Sequence, residues 1–143
     1  MNSTFAAHPN QLAQGHSGDI MATAAFLILT GRVIFGLFFV IAGIRNFLHF
    51  GERKMPDTNY GWKLASPVTA LGFASQLLGG VSVMFGIYPA WGAALLILFL
   101  ICATSLFHNF MLFEGEERQP HLYFTLVNIA LCGYGLMIIG LSH

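Results

Sequence analysis

Charge is what this sequence most lacks: only 8% of its 143 residues are Asp, Glu, Lys or Arg, against roughly 25% in a soluble globular domain. A chain that is also 56% hydrophobic, with a mean hydropathy of +0.70, does not have water as its solvent over most of its length. The six Lys and Arg are balanced by six Asp and Glu. No basic surface is left to neutralise a nucleic-acid backbone, so no nucleic-acid role is expected.

Cysteine is scarce. Cys102 and Cys132 both lie in apolar stretches, with neither CxxC spacing nor a ligand cluster beside them, and are expected as buried, small apolar side chains. Residues 1–19 contain no Lys or Arg, so the positive n-region of a cleavable signal peptide is missing. Residues 1–20 are read as a retained, loosely ordered polar arm, and residues 21–143 as one domain. Carboxylates are absent from the apolar stretches, every one lying in a loop or in the arm, which disfavours proton-driven transport. A Gly-rich phosphate loop and a Ser/His/Asp arrangement on a nucleophile elbow are missing as well. No catalytic residue and no metal-ligand set is assigned.

Long apolar runs are what the chain does have. About 20 apolar residues cross a hydrocarbon core of roughly 30 Å, and residues 21–50, 66–88, 91–113 and 121–141 meet or nearly meet that length. Arg32 interrupts the first run, whose crossing is placed at residues 31–50. Residues 51–65 carry Glu52, Arg53, Lys54, Asp57 and Lys63 and must lie outside the hydrocarbon. Tyr60 and Trp62 suit the headgroup level. The connections at residues 87–91 and 114–120 are short and force antiparallel neighbours. The expected fold is an all-α integral membrane protein, an antiparallel bundle of four transmembrane helices. Small residues recur at Gly72, Ser75, Gly79 and Gly80 and at Gly133, Gly135 and Gly140, where helices can approach closely. Lys and Arg gather on the side of Arg45, Arg53, Lys54, Lys63 and Arg118, which by the positive-inside rule puts both termini outside.

Polar groups in a span each need a reason, because a central charge costs about 2.5–3.5 kcal/mol on insertion scales. Arg45, Asn46 and His49 end the first run, His108 and Asn109 end the third, and His121 starts the fourth. Alternation puts all six at one membrane face, and Arg45 and Asn46 share a helix face with His49 at i, i+4 and i, i+3 spacing. Such a patch can hydrogen-bond the carbonyls of a quinone head group or relay its protons. The ordinary explanation is that these groups snorkel to water or cap helix ends. Haem with His49 and His108 as axial ligands is a third reading, without a spacing signature. Gln76 and Asn128 are expected in interhelical hydrogen bonds, and Arg32, near the opposite face, as an anchor to headgroups or an anionic partner.

The run GRVIFGLFFVIAGIRNFLHF, with Arg32, Gly43 and Asn46, resembles the opening helix of the DoxX family. LGFASQLLGGVSVMFGIYPAWGAALL is similar to that family's second helix and short turn, LFHNF at 106–110 to its third-helix ending, and LVNIAL at 126–131 to its Asn-containing fourth helix. Gln76 stands where many relatives carry Glu, Val127 where many carry Lys, and the turn at 88–91 lacks their usual basic residue. The resemblance implies a multi-pass protein of a bacterial inner (plasma) membrane, in contact with lipid and tied to quinone-linked redox work. Some members are subunits associated with thiosulfate oxidation, and others accompany oxidoreductases. Two functions stand side by side: an accessory subunit of a larger membrane oxidoreductase or energy-converting complex, and a quinone-interacting redox subunit using Arg45, Asn46, His49, His108, Asn109 and His121. The family's basic second turn would place the termini inside, so orientation stays open.

Overall fold

Pro9 opens the longest element of the protein, for which a computed structural model describes residues 9–53 and 57–142. Helix α1 runs Pro9–Leu48 and is followed by a single turn, α2, at Phe50–Arg53; then come α3 (Ser66–Phe85), α4 (Pro89–Phe107), a 3-10 turn at Phe110–Leu112 and α5 (Gly115–Gly140). Among the described residues, four stretches are long and apolar enough to cross a membrane: Ser17–Leu48, Ser66–Phe85, Pro89–Leu112 and Gly115–Gly140.

Two sequence expectations change. The segment expected as a loose arm enters α1 without a break from Pro9 onward, because proline is well placed in a first helical turn and no later residue there breaks a helix; residues 1–8 lie outside the described part. The connection expected at 114–120 is mostly the first turns of α5, which begins at Gly115 and carries Pro120 inside it. The true connection is the stretch around the 3-10 turn at Phe110–Leu112.

The helices pack in chain order: α1 on α3, α3 on α4, α4 on α5, while α1 and α5, the two ends of the row, share little contact. Phe39, Val83 and Leu96 are fully buried at its centre, joined by Phe35, Ala93, Leu100 and Ile138. Gly79 and Gly80 notch α3 on two sides. A Cβ on Gly80 would stand 2.9 Å from the carbonyl oxygen of Gly36 in α1, and one on Gly79 would stand 3.0 Å from that of Gly92 in α4. Close approach of backbones is how apolar helices gain packing energy where lipid offers no hydrophobic contrast. Gly133 and Gly140 have nothing within 4 Å of such a Cβ; those two do not mark helix contacts in this bundle.

The turn between α3 and α4 is fixed by local chemistry. Gly86 is left-handed (φ 71°), and its N–H donates to the carbonyls of Ser82 and Val83, while Ile87 N–H reaches the Ser82 carbonyl at 3.0 Å, a glycine-terminated helix end. Pro89 then starts α4. Cys102 is exposed on the outer face of α4, contrary to the buried side chain expected, since α4 is apolar all round and the sequence cannot say which side meets lipid. Cys132 is half-buried against the core.

Candidate functional site

At one end of the bundle α1 and α4 finish while α3 and α5 begin, and all six candidate residues lie there. Their contacts fall into three local sets, at α1–α3, at the loop over α4 and at α4–α5.

On the α1–α3 side, Asn46 Nδ2 donates to Gln76 Oε1 at 2.8 Å. Gln76 is only 6% exposed, so this bond satisfies an amide that would otherwise be costly to bury. Arg45 is exposed in the last turn of α1 and His49 is exposed just beyond its end. His49 Nδ1 lies 3.0 Å from the Arg45 carbonyl one turn back, which ties the imidazole to its own helix end.

Between the two sides, the loop that follows α2 folds over the end of α4. Thr58 is buried, and both its N–H and its hydroxyl donate to the Trp62 carbonyl, at 2.9 and 2.8 Å. Asn59 N–H donates to the Leu106 carbonyl at 2.8 Å. In the amide orientation that satisfies both ends, the Asn59 side chain accepts from the N–H groups of His108 (3.2 Å) and Asn109 (2.8 Å) and donates to the Phe107 carbonyl (3.0 Å). Asn109 in turn donates from Nδ2 to the Tyr60 hydroxyl at 3.3 Å and accepts the Met111 N–H through Oδ1. Orphan groups at the end of a helix need such partners.

On the α4–α5 side, His108 and His121 come together with ring centroids 5.9 Å apart. His121 stacks on Phe113 at 3.8 Å and nearly parallel, and His108 lies 4.7 Å from the ring of Phe124. Between them the Thr125 hydroxyl stands 2.7 Å from the His108 carbonyl and 2.9 Å from that of His121, so its single proton ties the two segments together. The Nδ1 atoms of both histidines are buried and have no hydrogen-bond partner. Two imidazoles in this state can each offer one donor or acceptor to a carbonyl or hydroxyl group.

Deeper in the bundle, Asn128 Nδ2 donates to Thr104 Oγ1 at 2.8 Å across α4 and α5. Arg32 sits at the far end of the bundle, its guanidinium packed on Gly86 of the turn after α3. Among the described residues no group of three or more His, Cys, Asp and Glu is placed to hold a metal ion. Sequence reasoning missed Asn59, Tyr60, Phe113 and Thr125. Only Thr125, four residues after His121, carried a readable signal, the back-bonding of a helical hydroxyl to the preceding turn.

A family model described as DoxX matches residues 27–109, more than half of the chain. The match takes in Arg32, Arg45, Asn46, His49, Gln76, His108 and Asn109 and leaves α5 outside, with His121 and Asn128. No curated protein and no solved structure matches.

Proposed function

This chain belongs to the DoxX family and is a multi-pass membrane protein, and from that premise we propose that it works as an accessory subunit of a membrane oxidoreductase or energy-converting complex. The observation that carries this reading is the use to which the polar side chains are put. Asn46 is bonded to Gln76, Asn128 to Thr104 and Asn109 to Tyr60. Groups spent on holding helices together are not free to bind and turn over a substrate. The carboxylates stand in loops, in the first turns of helices or, as Asp19, exposed on the N-terminal part of α1, so none of these acids faces the interior of the bundle. A bacterial inner membrane is the setting the family implies.

Extraction from native membranes in mild detergent, followed by mass spectrometry of what co-purifies, tests this reading. Stoichiometric recovery of a membrane oxidoreductase whose turnover falls when this chain is deleted is the expected result. A protein recovered alone and still holding a quinone overturns it.

A second reading, a quinone head group at the α4–α5 end, is favoured by one observation, the buried and unpartnered Nδ1 atoms of His108 and His121. Arg45 and His49, exposed at the same face, would then meet a redox partner rather than the quinone. Under this reading His108→Ala or His121→Ala abolishes quinone retention while the protein remains inserted.

A further inference from the structure

Among the described residues, no acidic side chain is paired with Arg32. Its Nε is buried without a hydrogen-bond partner. Of the six acidic residues, Glu52, Asp57, Glu114, Glu116 and Glu117 stand at the opposite end of the bundle. Asp19 lies thirteen residues earlier on the same helix, about 20 Å away at 1.5 Å per residue. An unpaired cation at the edge of a membrane span calls for an anionic partner.

The space beside Arg32 is shaped for an amphiphile. A cleft of about 280 Å³ opens between Leu27 and Arg32 on α1 and Met137 and Leu141 at the end of α5. A second, of about 530 Å³, continues along the same seam and is walled by Phe35 and Phe38 of α1 and Ala130 and Leu131 of α5. Gly31 and Tyr134 line both, so the two run into each other where the Tyr134 hydroxyl packs over Gly31. The first cleft holds the cation and the second is lined by apolar groups. Backbone contact between α1 and α5 is sparse, and side chains such as Phe35 and Tyr134, with ring centroids 4.9 Å apart, bridge the seam. Arg32 packs on Gly86, in the α3–α4 connection that also carries the exposed Tyr88 and leads into Trp91, aromatics of the kind enriched at headgroup depth.

We propose that the α1–α5 seam holds one anionic phospholipid, its phosphodiester on the Arg32 guanidinium and one acyl chain in the groove between Phe35, Phe38 and Ala130. Guanidinium recognises phosphate through paired N–H donors, and the groove is continuous with the surrounding lipid, so the ligand enters sideways. The inference stands apart from the accessory reading, which concerns protein partners.

The test titrates the purified full chain in mild detergent with phosphatidylglycerol or phosphatidylcholine and counts retained lipid by native mass spectrometry. The expected result is one retained phosphatidylglycerol, preferred at least about tenfold, a preference set by the charge-assisted bond. Arg32→Gln erases that preference and leaves phosphatidylcholine retention unchanged, Arg32→Lys keeps most of it, and Ala130→Trp lowers retention of both lipids by filling the groove. Equal retention of the two lipids by the unaltered protein overturns the proposal, as does a preference that survives Arg32→Gln. Displacement of the lipid by glycerol phosphate at equal concentration also overturns it, since the acyl chain would then contribute nothing. Should Arg32→Gln fail to fold, the lipid comparison on the unaltered chain and Ala130→Trp decide the matter.

Discussion

Gly36 of α1 and Gly80 of α3 cross with backbone against backbone: a Cβ on Gly36 would stand 2.6 Å from the Gly80 carbonyl oxygen and 2.6 Å from the Met84 nitrogen. Nothing at that crossing is the end of a flexible side chain that can swing away. Gly36→Val or Gly80→Val therefore forces the helices apart, and a loss of about 1–3 kcal/mol is expected, the range for overpacking a filled site. Gly133→Ala is the control, because a Cβ there meets nothing within 4 Å. Reversible unfolding in mixed detergent micelles measures both.

Asn46 and Gln76 form an interhelical amide pair, and a double-mutant cycle separates its coupling from the cost of orphaning either partner. Asn46→Leu alone leaves the buried Gln76 amide without its bond, at about 1–3 kcal/mol. Coupling of about 0.6 kcal/mol, with 1.7 as the upper end for such bonds between membrane helices, is expected. The double variant Asn46→Leu with Gln76→Leu recovers part of the loss. Strict additivity of the two single losses would show that the bond adds nothing.

How much of this was readable in the sequence divides along a physical line. Four spans follow from length and apolarity alone, and the α3–α4 turn from Gly86 and Pro89, because those signals are local. That α1 continues back to Pro9 was hidden by the polarity of residues 9–19, a property that marks solvent exposure rather than the absence of a helix. The candidate site was legible as a membrane face but not as a geometry. Placing Asn46 relative to His108 needed the order in which helices pack, and that order puts α3 between α1 and α4. Asn59 was invisible for a related reason, since a loop side chain that closes the end of a helix far along the chain leaves no periodic trace.

Asn59 closes the end of α4 over the backbone of Phe107, His108 and Asn109. Asn59→Ala removes three hydrogen bonds at once and is expected to cost about 1–3 kcal/mol. Amide hydrogen exchange at Asn109 reports it directly: that amide should exchange faster, while His108, whose N–H also donates to the Thr104 carbonyl at 2.9 Å, changes less and Leu96 and Leu100 in mid-helix do not change. Unaltered exchange at Asn109 would mean that the Asn59 side chain does not hold the end of α4.

His121 stacks on Phe113 through its ring face and leaves Nδ1 buried and unpartnered. His121→Phe keeps an aromatic face and removes the orphaned nitrogen, so stability should hold or rise by about 1 kcal/mol, whereas His121→Ala loses the stack and falls. Unfolding midpoints of the two variants test this. A loss of stability in His121→Phe as large as in His121→Ala would show that the imidazole nitrogens are bonded in the membrane, which is what the quinone reading requires of them.

Gly86 faces two separate constraints, and a paired substitution tells them apart. Its φ of 71° is a left-handed conformation, where any side chain costs about 1–2 kcal/mol. A Cβ there would also stand 2.8 Å from an Arg32 guanidinium nitrogen. Gly61 has a similar φ of 78° but open space around its Cβ position, so Gly61→Ala carries the conformational cost alone. Gly86→Ala adds the displacement of Arg32 from the turn. If Arg32 holds a lipid phosphate, Gly86→Ala should lower the preference for phosphatidylglycerol in the same titration while Gly61→Ala leaves it intact. If the guanidinium only packs on the turn, both variants should lose stability and neither should change lipid preference.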